Sequence, residues 1–497
     1  MELSKIKQRL ELLWQEVQEL EASGGTPTDC YTKAQTDALL AEKADISSLA
    51  DVATSGNYSD LTNKPTLGTA AAKDMDTTLN STSTNPVENR TLTSKFFDLD
   101  ANLSAIRVMI GATLYGFRIN KNDPDPSTRV EYLYDNANFA PAAMDFTEGE
   151  FDYGDWANAW FITGNKPVAL RYNGDIDYYL DPNDYTKQID GSPSDIANTA
   201  YAGNFMATMP TVWIKRWEDG NYQYFAFSDK QVNPDFKAYA HDAGDGFIND
   251  YIYLPMFKGT IIDTYLRSIA DQYPTVNNTA TVDRTAAVQC GTGWDMWAFS
   301  ARILINDLLT LISKTTNCQN SFGLGKERDS NDASGHEGML KTGLDDLDTG
   351  QFYGTDDTTH HVKVFHIEDY WGERFERSVG LHLVDNKYMY KLTPPYISSG
   401  STSTYTLTNL DAPGAGYPTD FYLGDFGLLP KTIGGSTSTY FCDYFNSTST
   451  GTRTAMFSGF YENEYNNGYY YLSVGNIAGA TFTTLGASPC YNPPHST

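Results

Sequence analysis

Hydrophobic positions near the N-terminus recur at intervals that alternate between three and four residues. They are Leu3, Ile6, Leu10, Leu13, Val17 and Leu20. This spacing is the a/d seam of a heptad repeat. Because so short a helix is marginal alone in water, the seam predicts a coiled coil over residues 1–24 with more than two strands. One amphipathic helix on a globular core is the alternative, although Gly24-Gly25 and Pro27 isolate the segment.

A second seam with the same period ends the first 110 residues. Its apolar positions are Leu92, Phe96, Leu99, Leu103, Ile106 and Ile110. The stretch between the seams, residues 30–89, is rich in Ala, Thr, Ser, Asp and Asn and cannot bury a core of its own. We expect residues 25–110 to form a fibrous shaft with a second coiled coil at 87–110, in which copies of the chain wind around one another. Three chains are favoured, and disorder is the alternative.

From Gly111 the heptads give way to short β-like runs separated by Asp, Asn, Gly and Pro. Clear examples are residues 130–134, 211–215 and 222–227. Helical spacing occurs over residues 261–269 and again over residues 300–313. The predicted fold class is α+β, with a β-rich head that contains two helices and many short strands. Residues 111–200 are either a small β-rich unit or an N-terminal elaboration of a head at 201–497.

The composition argues against several classes of function. The net charge of −28, from 35 basic and 63 acidic residues, argues against nucleic acid and against a polybasic patch for membrane surfaces. No apolar run reaches about 18 residues, so no membrane insertion is expected. The N-terminal sequence also lacks the uncharged stretch of a signal peptide. Five scattered cysteines make no disulfide-dense scaffold, and 34 tyrosines are the feature to explain.

The tyrosines concentrate in a nearly uncharged C-terminal segment. Seven of them lie between residues 440 and 471, while residues 432–497 contain only four Asp, Glu, Lys or Arg. Tyrosine supplies a large contact area at low entropic cost, and Ser, Asn and Gly supply adaptable hydrogen bonds. Aromatic faces can also stack on sugars. The segment at 440–485 is therefore predicted to bind a ligand, although tyrosines that merely favour strands are the alternative.

Alternation within residues 468–474 divides the tyrosines between two faces of a predicted strand. Tyr469, Tyr471 and Ser473 share the face expected to bind, whereas Tyr470 shares the apolar face expected to enter the core. The complete set of predicted ligand-binding residues is Tyr444, Asn446, Tyr461, Asn463, Tyr465, Asn467, Tyr469, Tyr471, Ser473 and Asn476.

Several motifs resemble those of bacteriophage tail fibres. Residues 31–40 (YTKAQTDALL), 58–66 (YSDLTNKPT) and 81–90 (STSTNPVENR) are similar to repeats of trimeric fibre shafts. In the head, MPTVWI, LPMFKG, GWDM, NCQNSFGLG and EDYWG occur in the order typical of a C-type-lectin domain of the formylglycine-generating-enzyme type. Phage receptor-binding proteins use this fold, and some are tropism determinants diversified by a retroelement.

The resemblance implies a homotrimer in the virion tail fibre. Its N-terminus would bind other virion tail proteins, and its lectin-like heads would bind a host cell-surface receptor, either glycan or protein. The segment at 440–485 matches the variable region of that family, and residues 485–494 resemble its invariant close. Ser488-Pro489 stands where many members have Arg and an aliphatic residue, which weakens a claim that a retroelement acts here.

Binding rather than catalysis is expected, because the chain has no GxSxG, HExxH or Walker motif. A tail-spike enzyme that degrades host polysaccharide remains an alternative, since acidic pairs abound. A bacterial surface-displayed lectin-like protein is a further alternative.

No cofactor and no metal site are predicted. Calcium binding by the acid-rich residues 327–357 is kept as an alternative, although these residues lack an EF-hand register. A strand would place His366 and Glu368 on one face, near His360, His361 and Asp369, although a structural role is favoured over a metal. Formylglycine-generating enzymes hold copper through cysteines. Here Cys442 and Cys490 are instead expected to form a buried thiol pair or a disulfide.

Overall fold

The computed structural model describes residues 33–43, 111–325, 339–343, 347–357, 361–397, 404–448 and 450–495. The chain divides into two compact units, Met1–Met109 and Ile110–Thr497. Within the first unit, the described residues form helix α1, Lys33–Lys43. Both heptad seams, at 1–24 and 87–110, lie outside the described residues. The coiled coils, the shaft and the trimer therefore stay predictions.

The second unit begins with a four-stranded antiparallel sheet in the order β2-β1-β10-β9. Its strands are β1 Leu114–Asn120, β2 Val130–Tyr134, β9 Trp213–Asp219 and β10 Tyr222–Ser228. The predicted β-like runs 130–134 and 222–227 lie in this sheet, as do the last three residues of the run 211–215. Phe117 and Phe225 are cross-strand partners whose rings stack at 4.5 Å on the core side.

A seven-stranded antiparallel sheet follows, in the order β14-β26-β11-β8-β5-β6-β7. Its strands are β5 Pro167–Arg171, β6 Ile176–Asp181, β7 Asp184–Gln188, β8 Gly203–Pro210, β11 Tyr251–Pro255, β14 Trp294–Met296 and β26 Pro489–Tyr491. Every residue of the central strand β8 is buried. Because β5 pairs with β8 and β1 pairs with β10, both sheets run across residue 200.

The third sheet has the order β19-β18-β17-β23-β24-β22, with β25 parallel to β17. Its strands are β17 Phe375–Val384, β18 Lys387–Tyr390, β19 Thr406–Asp411, β22 Phe445–Ser447, β23 Thr452–Phe457, β24 Leu472–Asn476 and β25 Leu485–Gly486. The Tyr-rich segment supplies β22, β23 and β24, so it builds one edge of this sheet.

Four hairpins complete the strands of the described residues. They are β3 Ala143–Asp145 with β4 Glu150–Asp152, β12 Thr260–Ile262 with β13 Tyr265–Arg267, β15 Lys363–Val364 with β16 Ile367–Glu368, and β20 Pro418–Gly424 with β21 Gly427–Ile433. The helix predicted over 261–269 is wrong, because β12 and β13 occupy its place. Asp263 and Thr264 form the turn with φ of 48° and 82°. Apolar pairs on either side of a two-residue turn mimic helical spacing.

The helix predicted over 300–313 is confirmed as α4, Phe299–Ser313, in which every residue is buried. Its apolar residues pack into the core, and its charged residues are buried with partners, since Arg302 pairs with Glu376 and Asp307 pairs with Arg216. The other helices are α2 Trp160–Thr163, α3 Ala280–Val288 and α5 Cys318–Phe322, with 3₁₀ turns at Tyr239–His241 and Tyr461–Asn466. The protein is thus β-rich with few helices, as predicted at that level. None of the described helices is long and apolar enough to cross a membrane.

Helix α4 lies between two hydrophobic clusters. Leu304, Leu308 and Leu311 join the large core shared with the first two sheets. Phe299 and Ile303 join a second core on the third sheet. The Tyr-rich edge is therefore attached to the centre of the second unit through this helix.

Candidate functional site

The predicted ligand-binding residues divide between the interior and the surface. Those that are buried are Tyr461, Asn467, Tyr469, Tyr471 and Ser473. Those that are exposed or partly exposed are Tyr444, Asn446, Asn463, Tyr465 and Asn476. Half of the predicted set therefore supports the surface instead of forming it.

The prediction that Tyr469 and Tyr471 form an exposed strand face is wrong. Strand β24 begins only at Leu472, and the three tyrosines before it are 2%, 7% and 4% exposed. The hydroxyl groups of Tyr469 and Tyr470 both hydrogen-bond to Thr310 on α4, at 3.1 and 2.7 Å. Tyr469 also donates to the carbonyl of Thr315 at 3.1 Å. Burial raises the pKa of both phenols, so they remain neutral hydrogen-bonding groups.

The other buried members of the predicted set pack beneath the exposed ones. The ring of Tyr471 packs against Phe375, with 5.5 Å between centroids. Asn467 donates through Nδ2 to the carbonyl of Phe460 at 3.0 Å, which closes the loop around the 3₁₀ turn. The guanidinium group of Arg374 lies 4.8 Å from the ring centroid of Tyr461. These contacts fix the backbone on which the exposed residues stand.

Asp443 joins the two halves of this segment. Its carboxylate accepts a hydrogen bond from the backbone nitrogen of Tyr470 at 2.8 Å, and Oδ1 lies 3.6 Å from Cys318 Sγ. Burial raises the pKa of Asp443 to about 8. A Cβ atom at Gly468 would lie 2.0 Å from the carboxylate, so only glycine allows this approach.

At the surface, Tyr417, Tyr444, Asn446 and Asn466 form what we call the edge cluster. The rings of Tyr417 and Tyr444 meet edge to face at 5.3 Å, and the hydroxyl of Tyr417 donates to Oδ1 of Asn466. The backbone nitrogen of Tyr444 donates to the carbonyl of Asn466 at 3.0 Å. Asn446 lies on the edge strand β22. Tyr465, the residue before Asn466, is 54% exposed.

The edge cluster contains two residues that sequence reasoning missed. Asn466 lies inside the predicted segment, and the Asn-rich composition there could have identified it. Tyr417 precedes β20, outside that segment, and reaches the cluster because Gly416 and Phe445 form a β-bridge. No local signal indicates this pairing. The cluster offers aromatic rings and neutral amides without a charged side chain, which suits sugar C–H faces and hydroxyls or a polar peptide.

The region around His366 differs from the prediction. Phe365 and His366 are the two turn residues of the β15–β16 hairpin, with φ of 52° and 63°. His366 Nδ1 lies 2.5 Å from the hydroxyl of Tyr185, and burial lowers the pKa of this histidine well below its ordinary value. His366 therefore does not pair with Glu368. His361 instead lies beside Asp369, with 2.5 Å between Nδ1 and Oδ1, while His360 is outside the described residues.

Several acidic groups of this region lie in the interior. Glu376 accepts hydrogen bonds from Arg302 and, at 3.2 Å, from Lys258. Glu373 is 1% exposed, and burial together with the neighbouring Asp369 raises its pKa to about 7. Carboxyl groups this deeply buried are not reachable by a polysaccharide chain.

The four described cysteines, at 290, 318, 442 and 490, are buried and free. No disulfide joins Cys442 and Cys490, which have different neighbours. Cys442 lies near Arg129, whereas Cys490 is on β26 opposite Asp295. Burial raises the pKa of both thiols to about 12, so they are protonated at neutral pH.

No protein-family model matches the chain, and no curated protein shows detectable sequence similarity to it.

Proposed function

We propose that the protein is a phage tail fibre that binds the bacterial host surface through the edge cluster. The observation that carries this proposal is the edge cluster itself. It is an uncharged Tyr/Asn surface that packs on buried tyrosines, in a chain whose net charge is −28. A neutral patch on an acidic protein limits non-specific attraction and leaves recognition to shape, stacking and hydrogen bonds.

Contacts within the protein hold the edge cluster in place. Tyr444 is flanked by the rings of Tyr417 and Tyr471, and its backbone is hydrogen-bonded to Asn466. Side chains held in this way lose less conformational entropy on binding than freely rotating ones. The cluster can therefore bind with useful affinity although it is small.

The remaining parts of the proposal rest on sequence. The coiled coil at 1–24 would bind other virion tail proteins, and residues 25–110 would form a trimeric shaft. Residues 201–497 would adopt the C-type-lectin-like fold, with 440–485 as its variable-type segment. Three heads on one fibre would strengthen a weak single-site affinity through effective concentration.

The direct test is adhesion of the full-length protein to host cells by flow cytometry. Changing Tyr417→Ala and Tyr444→Ala together should lower the apparent affinity at least tenfold, because both rings lose their contact area. Tyr179→Ala is the matched control, since Tyr179 is 44% exposed on a different sheet. Unchanged adhesion of the double variant, or equal loss in the control, would contradict the proposal.

The same assay can identify the receptor class. Mild periodate oxidation of the cells destroys glycan diols, whereas protease treatment removes surface proteins. Loss of adhesion after only one of these treatments assigns the ligand to that class.

A further inference from the structure

The β15–β16 hairpin brings a histidine and two carboxylates together in the interior. Its register pairs Lys363 with Glu368 and Val364 with Ile367. Asp369 directly follows Glu368, and His361 lies two residues before Lys363. The side chains of His361 and Asp369 meet, with 2.5 Å between Nδ1 and Oδ1. None of this depends on the edge cluster or on the function proposed for it.

One potential ligand atom from each of His361, Glu368 and Asp369 lies within 4.8 Å of the other two. The three residues are 1%, 2% and 1% exposed. Donor atoms around a tetrahedral ion with bonds of ~2.0–2.1 Å are about 3.3 Å apart, so small side-chain rotations would close this group around a cation.

The carboxyl group of Glu373 lies beside these three residues, although it is not within the same 4.8 Å. Asp369 and Glu373 approach one another closely enough for a side-chain hydrogen bond between them. No hydrogen-bond donor among the described residues reaches Asp369 Oδ2 or Glu373 Oε2, and Glu373 is 1% exposed. A buried carboxylate oxygen that no donor reaches is stabilised by a proton or by a cation.

Basic side chains also lie nearby. Lys258 and Arg302 both bind Glu376, and the guanidinium of Arg374 stacks over the ring of Tyr461. Among the described residues, none of these groups donates a hydrogen bond to Asp369 Oδ2. A divalent cation would bind that oxygen.

The surrounding backbone gives such an ion a structural role. The backbone nitrogen of Gly343 donates to Glu368 at 2.7 Å, and that of Leu340 donates to Glu373 at 3.2 Å. The backbone nitrogen of Tyr461 donates to the carbonyl of Glu373 at 3.2 Å. An ion here would join residues 339–343, the β15–β16 hairpin and the start of the 3₁₀ turn at Tyr461–Asn466.

We propose that His361, Glu368 and Asp369 bind one divalent transition-metal ion, Zn²⁺ or Mn²⁺, with Glu373 beside them. An imidazole ligand favours these ions over Ca²⁺ and Mg²⁺, which prefer sites made wholly of oxygen. None of the proposed ligands belongs to the acid-rich residues 327–357, for which the sequence analysis kept calcium binding as an alternative.

The test uses the full-length protein, purified without chelator. Every sample carries Cys30→Ser, so that this thiol, which lies outside the described residues, cannot bind the metal. Elemental analysis should find about one Zn or Mn per chain. After EDTA treatment the thermal unfolding temperature should fall, and Zn²⁺ or Mn²⁺ but not Ca²⁺ should restore it.

Variants decide whether the ion occupies the proposed site. His361→Gln and Asp369→Asn should each weaken metal binding at least tenfold. His366→Gln is the matched control, because this buried histidine belongs to the same hairpin but contacts Tyr185. Metal-free protein that neither binds nor is stabilised by Zn²⁺ or Mn²⁺ would overturn the proposal. Full retention of metal by both ligand variants would overturn it as well. If a variant fails to fold, titration of the EDTA-treated parent protein with Zn²⁺ or Mn²⁺ still tests whether the chain binds the ion and is stabilised by it.

Discussion

At the scale of single residues, Asp443 connects two parts of the Tyr-rich segment through one buried carboxyl group. It is 1% exposed, receives the backbone N–H of Tyr470 and lies against the thiol of Cys318. No basic side chain forms an ion pair with it among the described residues. The cost of burying its charge therefore controls its protonation, and the carboxyl is mostly protonated at neutral pH.

This environment predicts a pH-dependent stability. The pKa of Asp443 is about 8 in the folded protein and about 3.9 in an unfolded chain, so the folded state binds the proton more tightly. The contribution of this proton is complete below pH ~4 and declines as the pH rises towards 8. Denaturant titrations from pH 5 to 9 should show a decline of at most about 1.4 kcal/mol per pH unit.

Asp443→Asn is the comparison for that measurement, because asparagine can still accept the hydrogen bond from Tyr470. The free energy of unfolding of the parent minus that of the variant should fall between pH 5 and pH 8 and then level off. A difference that does not change with pH would contradict the assigned protonation.

At the scale of elements, helix α4 attaches the Tyr-rich segment to the core. Thr310 is the contact residue, because its hydroxyl binds the phenols of Tyr469 and Tyr470 and the carbonyl of Asn306. The sequence predicts α4 correctly, since its apolar residues repeat with helical spacing over four turns. It does not predict the tyrosine contacts, which join residues about 160 positions apart.

Thr310→Val keeps the shape of the side chain and removes this hydroxyl. We expect the free energy of unfolding to fall by about 1–3 kcal/mol, because the buried phenol of Tyr470 loses its partner. Thr310→Ser keeps the hydroxyl and should cost less than Thr310→Val. Equal losses in the two variants, measured by denaturant titration, would show that the hydroxyl contacts are unimportant.

The two errors at this scale have related causes. Residues 261–269 have the spacing of a helix, but Asp263 and Thr264 adopt positive φ and reverse the chain. Residues 468–474 have the alternation of a strand, but the first part is an irregular turn whose three tyrosines pack inward. Short periodic runs fit more than one backbone, and tertiary packing chooses among them.

At the scale of the whole molecule, the proposed function requires several copies of the chain. The heptad seam at 1–24 predicts that full-length protein sediments as an assembly of three 55.2 kDa chains. Leu10→Asp combined with Leu13→Asp should lower the mass or weaken the assembly, because both charges would enter the apolar seam. A monomeric parent protein in analytical ultracentrifugation would contradict the trimer.

The sequence by itself determined the β-rich class, helix α4 and the position of the nearly uncharged Tyr-rich segment, because these depend on local periodicity and composition. Only the tertiary structure decided which tyrosines reach the surface. Tyr469, Tyr470 and Tyr471 are buried because α4 and Phe375 pack against them, whereas Tyr444 stays at the edge beside the distant Tyr417. Burial depends on partners that are remote in sequence, and no pattern within the segment specifies them.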